Sequence, residues 1–211
     1  MSTSPRLEQL SAPLRALAQA GVVRRFARRS RFIVEGDVGN AIYVILAGQV
    51  KVFASDLDGK EFIFGTYGSG TILGEMALDG QPRSASVEAL SDVECAIVPI
   101  EELRRRIAED PAFTMELIRV LIARSRNTTT FSRRLALDSA YQRLASLLDE
   151  LAVEQDGVRV VPEALSMQAL GQRIGASRDM VSKLFKELVK GEYLRYEARR
   201  ITLLRALPAK W

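Results

Sequence analysis

The stretch "GEMALDGQPRSASV", Gly74 to Val87, carries Glu75 and Arg83 eight positions apart in a setting of mostly small and apolar residues. A glycine turn that brings an acid and an arginine toward a folded interior needs a physical reason, because an unpaired buried charge is costly. Two readings are open at this point. Either Glu75 and Arg83 form an internal ion pair on a barrel edge, or each addresses a different group of one small anion from outside the chain.

Working outward, nine of the chain's 14 glycines fall between Gly36 and Gly80, where they separate short β-branched and aromatic runs. These runs are "RFIV" from Arg31, "AIYVIL" from Ala41, "QVKVFAS" from Gln49, "EFIFGTY" from Glu61, "SASVEA" from Ser84 and "VECAIVP" from Val93. Short strands closed by glycine or Asp-Gly predict an antiparallel barrel or jelly roll, and Asp58-Gly59 is the clearest hairpin signal.

From Asp110 to Leu137 glycine disappears and the period becomes helical. Leu117, Leu121, Arg124, Thr128, Phe131 and Leu135 recur at steps of 4, 3, 4, 3 and 4, the seam of a two-stranded coiled coil and hence a dimerisation face. The middle of that seam, "RSRNTTT" from Arg124 to Thr130, is polar and β-branched, which lowers helix propensity. A polar seam position can fix register, or something polar binds there.

After Leu137 a third segment begins with the amphipathic "AYQRLASLLDELA" and a turn with a short strand in "DGVRVVPEA". Ser166 is placed to cap a helix whose inward residues include Ala169, Leu170 and Ile174. Gly175-Ala176 makes a tight turn, and Ser177 caps a second helix buried through Val181, Leu184, Phe185 and Leu188. Its other face holds Arg178, Asp179, Ser182, Lys183 and Lys186, and a hairpin with Arg195, Arg199 and Arg200 follows. The spacing fits a helix-turn-helix with its wing, and it also fits a plain helical hairpin with a charged outer face.

Charge tips that balance. The net charge is only +4, yet Gly171 to Trp211 hold ten Lys or Arg against four Asp or Glu, and Arg119 to Arg134 hold five arginines and no acid. Such clusters point to a polyanion partner. The chain has no histidine and a single cysteine, Cys95. That removes Ser-His-Asp and Cys-His catalysis, the commonest metal ligand and any intrachain disulfide. Catalytic residues and a metal are therefore not expected. The longest apolar run, Ala41 to Ala47, is seven residues, far below the roughly twenty of a membrane span. No secretory signal is readable, and a cytoplasmic location with no membrane partner is expected.

From roughly Phe32 to Leu204 the chain resembles the CRP/FNR family of bacterial transcription regulators. The quoted stretch is similar to that family's phosphate-binding cassette, glycine-glutamate-aliphatic followed by arginine-serine-alanine. The resemblance implies a ligand set of Gly74, Glu75, Met76, Arg83, Ser84 and Ala85, joined by Asn127 and Thr128 of the long helix. Arg83 would pair with a cyclic nucleotide's phosphate, Ser84 and nearby backbone N–H groups would donate to its oxygens, and Glu75 would accept from the ribose 2′-hydroxyl. Asn127-Thr128 stands where the family commonly has threonine-serine, so cAMP, cGMP and cyclic di-GMP all stay open as effector. No prosthetic group is expected. The implied DNA-binding set is Ser166, Gln168, Ser177, Arg178, Asp179, Ser182, Lys183, Lys186, Arg199 and Arg200. Lys183 and Asp179 depart from the family's usual arginine and glutamate, so no operator sequence carries over.

The resulting expectation is an α+β chain in three parts. Residues 1–109 form a cyclic-nucleotide-binding-type β-roll (jelly-roll) domain with flanking helices, 110–137 a long dimerisation helix, and 138–211 a winged helix-turn-helix domain. The function implied is a ligand-gated homodimer on a near-palindromic operator in double-stranded DNA, contacting RNA polymerase. Its alternative is a same-fold regulator that binds DNA constitutively or answers another effector.

Overall fold

The computed structural model describes residues 6–209. A first helix α1 (Ala12–Gln19) leads into eight strands: β1 (Val22–Phe26), β2 (Arg31–Ile33), β3 (Ala41–Ala47), β4 (Val50–Ser55), β5 (Glu61–Tyr67), β6 (Ile72–Leu73), β7 (Ser86–Ala89) and β8 (Val93–Pro99). They form two four-stranded antiparallel sheets, in the orders β1-β8-β3-β6 and β2-β7-β4-β5. That interleaving, with sequential strands alternating between sheets except at the β4–β5 hairpin, is the expected jelly roll. Two strands lie outside the expected runs. β1 is mostly exposed and its "VVRRF" shows no alternation, and β6 is two residues long, so neither carries a periodic signal.

β3 reads as continuously apolar because both of its faces are covered. Ile42, Val44 and Leu46 enter a cluster with Leu17, Ala18, Ala96, Val98 and Leu103, while Ile45 enters a second one with Ile33, Val50, Val87, Ala89 and Cys95. The period of two sorts one run into two cores. The first of these cores is capped by α1 and by α2 (Ile100–Glu109).

The long helix α3 (Pro111–Leu137) starts with proline in its first turn and with Asp110 Oδ1 accepting from the Phe113 amide at 3.0 Å. It runs unbroken through Thr128–Thr130 despite their poor propensity. Two compact units meet within it, the first ending at Ser125 and the second beginning at Arg126. Residues 110–137 are thus not a free-standing segment. The first half of α3 belongs to the β-roll unit, because Phe113 and Leu117 are buried in the first core and Leu121 packs against it.

In the second unit, Ser139 closes a capping box with Gln142 and starts α4 (Ala140–Leu151). Strands β9 (Val153–Gln155) and β10 (Val158–Val161) follow, then α5 (Met167–Ile174), α6 (Arg178–Lys190), β11 (Leu194–Glu197) and β12 (Arg200–Leu203). The four strands form one antiparallel sheet, β11-β12-β10-β9. The expected short strand and terminal hairpin are therefore parts of a single sheet, joined where β10 pairs with β12. Leu144, Leu148, Leu170, Val181, Phe185, Leu188 and Ile201 fill its core.

Candidate functional site

The cassette is built where β6 ends. Gly74 adopts φ 82°, which favours glycine, and turns the chain into the 3₁₀ helix Glu75–Asp79; Gly80, at φ 76°, ends that helix. The loop back to β7 is pinned by backbone bonds from the Arg83 amide to the Asp37 carbonyl (2.8 Å) and from the Gly36 amide to the Arg83 carbonyl (2.9 Å). Arg83 itself is 9% exposed.

Its guanidinium lies in a slot that only small residues can form. A Cβ on Gly39 would sit 2.1 Å from Arg83 Cζ, and one on Gly74 would sit 2.5 Å from Nη1. Nη1 donates to the Gly74 carbonyl at 2.8 Å and Nη2 to the Ala41 carbonyl at 2.6 Å. The expected alternative of an internal Glu75–Arg83 pair does not form. Among the described residues Arg83 has carbonyl partners and no carboxylate, so its charge is solvated by dipoles and left uncompensated. Burial pushes the neighbouring Tyr43 phenol above its ordinary range, an effect the Arg83 charge opposes. Tyr43 therefore stays a protonated donor, bonded to the Phe32 carbonyl at 3.4 Å.

Glu75, 8% exposed, is held instead by Arg124. Nη1 of Arg124 reaches Glu75 Oε1 at 2.6 Å, Nη2 donates to the Ile72 carbonyl at 2.6 Å, and the guanidinium stands 5.3 Å from the Tyr67 ring centroid. Sequence reasoning assigned Arg124 to an intersubunit seam and missed this contact. The signal was present, since Arg124 continues the face of Leu117 and Leu121, the face that meets the chain's own β-roll. Leu117 (5% exposed) and Leu121 are committed within the chain, Phe131 is half-buried, and Thr128 and Leu135 are exposed. Met115, Ile118 and Ile122 form an uncovered apolar stripe on the first half of α3, and Val120, Leu135 and Leu137 are exposed as well.

Ser84 is exposed and its hydroxyl donates to the Met76 sulfur at 3.1 Å; Ala85 is half-buried behind it. The structure therefore places Gly74, Glu75, Met76, Arg83, Ser84 and Ala85 around one turn. Asn127 and Thr128 are exposed on α3 beyond the unit boundary. Of the charged groups here, Glu75 and Arg83 are buried and Asp79 is exposed; Glu75 is paired with Arg124, so Arg83 is the buried charge left to an outside anion.

The second unit carries the helix-turn-helix. Ser166 Oγ accepts from the Ala169 amide at 3.1 Å and Ser177 Oγ from the Met180 amide at 3.2 Å, so both serines cap their helices. Gly175 is left-handed at φ 65°, and Gly171 allows the turn to close, since a Cβ there would sit 2.6 Å from the Ala176 carbonyl oxygen. Arg178, Asp179, Lys183 and Lys186 are exposed on α6, Ser182 is half-buried, and Val181, Phe185 and Leu188 are buried. Gln168 is exposed on α5. Arg199 sits in the turn between β11 and β12 at φ 66°, with Arg200 beside it, both exposed.

Residues 23–110 match the cyclic nucleotide-binding domain family and residues 142–206 the Crp-like helix-turn-helix domain family. The chain is 30% identical over 174 residues to the cAMP-activated global transcriptional regulator CRP of Pasteurella multocida, covering 79% of this chain and 82% of that protein. It is 28% identical over 183 residues to the CRP-like cAMP-activated global transcriptional regulator of Mycobacterium tuberculosis, covering 84% and 82%. Among solved structures, the c-di-GMP responsive global regulator CLP of Xanthomonas campestris shares the fold at a TM-score of 0.76 and 24% identity, over 90% of this chain and 97% of that one.

Proposed function

The chain belongs to the CRP/FNR family of transcription regulators, and on that premise we propose that it is a ligand-gated, sequence-specific DNA-binding homodimer whose β-roll takes a cyclic mononucleotide, cAMP or cGMP. The observation that carries this reading is the Arg83 guanidinium, nine-tenths buried in its glycine slot with carbonyls as its partners. A phosphodiester supplies the missing negative charge, and one such group balances the one buried guanidinium that lacks a carboxylate. A cyclic dinucleotide brings two. The family is one of regulators, and no catalytic step enters the proposal.

On binding, the remaining N–H groups of Arg83 pair with the phosphate and the Ser84 hydroxyl turns from the Met76 sulfur to a phosphate oxygen. Glu75 keeps Oε1 on Arg124 and offers its other oxygen to the ribose 2′-hydroxyl. One carboxylate then links the ligand to α3. Ligand biases a two-state geometry of the helix-turn-helix pair about a hinge near Leu137-Asp138, where α3 ends. The active dimer sets its recognition helices about 34 Å apart on a near-palindromic site. Arg178 and Lys183 donate to base edges, Arg199 and Arg200 hold phosphates, and a separate surface meets RNA polymerase.

Calorimetry with cAMP, cGMP and cyclic di-GMP, followed by DNA-binding titrations with and without each, tests this. The expected result is binding of one cyclic mononucleotide and a gain in DNA affinity of about 5- to 150-fold. Equal DNA affinity under all conditions would identify a constitutive regulator. Binding of cyclic di-GMP alone would overturn the charge argument.

A further inference from the structure

We propose that Met76 is an oxidation switch on the nucleotide site: oxygen-atom transfer from a peroxide to its thioether sulfur lowers the affinity of the cassette for a cyclic nucleotide's phosphate. The inference rests on the reading of Glu75, Arg83 and Ser84 as that site.

Three observations carry it. Met76 is 58% exposed, although it sits in the first turn of the 3₁₀ helix that forms the cassette and follows the buried Glu75 directly. Its sulfur accepts the Ser84 hydroxyl at 3.1 Å, so it already competes for a donor that the phosphate needs. The chain's one thiol is closed to oxidants, because Cys95 is fully buried and burial, with the Glu94 charge adding, pushes it up to about 12. Exposed thioethers are then the reactive sulfur. Met115 (49%) and Met180 (44%) are also exposed, but neither lies in the cassette.

The step is a two-electron oxidation. A sulfur lone pair attacks one peroxide oxygen, the O–O bond breaks, the sulfur–oxygen bond forms, and the departing hydroxide takes up the remaining proton as water. The thioether is a weak acceptor, whereas the sulfoxide oxygen is a strong one on a polar, bulkier side chain. The Ser84 O–H is then held by Met76 and withdrawn from the phosphate. Reduction of the sulfoxide restores it, so the switch is reversible.

The test treats the wild-type dimer and a Met76→Leu variant with hydrogen peroxide. Peptide mass spectrometry follows oxygen addition at Met76, and calorimetry with cAMP and cGMP is run on each protein before and after treatment. Wild type is expected to lose about tenfold in affinity and to regain it with methionine sulfoxide reductase, while Met76→Leu keeps its own starting value throughout. Full oxidation of Met76 with unchanged affinity overturns the inference, as does an equal loss in both proteins. If untreated wild type binds neither nucleotide, the site reading itself has failed and the inference falls with it.

Discussion

Arg83 illustrates how a residue's chemistry is set by what its neighbours lack. Its guanidinium fits because Gly39 and Gly74 have no side chains, and its two carbonyl partners hold it without neutralising it. Replacing Gly39 with Ala places a methyl group 2.1 Å from Cζ while leaving the backbone conformation permissible. The expected outcome is a loss of cyclic-nucleotide affinity of about tenfold or more by calorimetry, with the circular dichroism spectrum unchanged. Cys95 makes a second prediction at this scale. The folded thiol is pushed up from 9.0 to about 12, so in the pH 9–12 window the unfolded chain loses this proton and the folded one does not. Its contribution to stability is therefore intact below pH 9 and declines as pH rises toward 12. The urea midpoint should fall more steeply between pH 8 and pH 10.5 in wild type than in Cys95→Ala. Iodoacetamide at pH 8 should modify the native thiol at least about a hundredfold more slowly than the denatured one.

Among the elements, α3 best separates local propensity from tertiary packing. A 3,4 spacing of Leu117, Leu121 and Arg124 marks a buried face, but periodicity alone is silent on whether the covering surface is a partner or the chain itself. Here it is the β-roll, which takes Leu117 and Leu121 into its core and turns Arg124 onto Glu75. We propose that the dimer contact uses the exposed stripe of Met115, Ile118 and Ile122. Substituting Asp at both Ile118 and Ile122, which are 40% and 49% exposed, should shift the protein from dimer toward monomer in sedimentation, with little change in the stability of the β-roll. The recognition pair was legible to its caps, since Ser166 and Ser177 bond the amides that local geometry dictates. β1 and β9 were not legible. Exposed on most or all of their length, they owe their strand form to pairing with β8 and β10 rather than to any pattern of their own.

At the scale of the whole molecule, two units with different duties share one helix. Sequence-independent and sequence-reading contacts should separate in DNA titrations. Replacing Arg199 and Arg200 with Ala should flatten the slope of log affinity against log salt by about 0.9 for each lost phosphate contact, leaving operator preference intact. Replacing Arg178 with Ala should instead relax preference at one base position, by about 1–3 kcal/mol. The amino-acid order alone determined the jelly roll, the 27-residue helix, the capped helix pair and the glycine turn at Gly74. Each of these rests on local physics: alternation of two, periods of 3.6, glycine at positive φ, and side-chain caps. Only the tertiary structure decided which partners the charges take. Arg83 and Glu75 lie eight positions apart yet bond to Ala41 and Arg124, because long-range partners follow from how sheets and helices stack. No spacing along the chain encodes that stacking by itself.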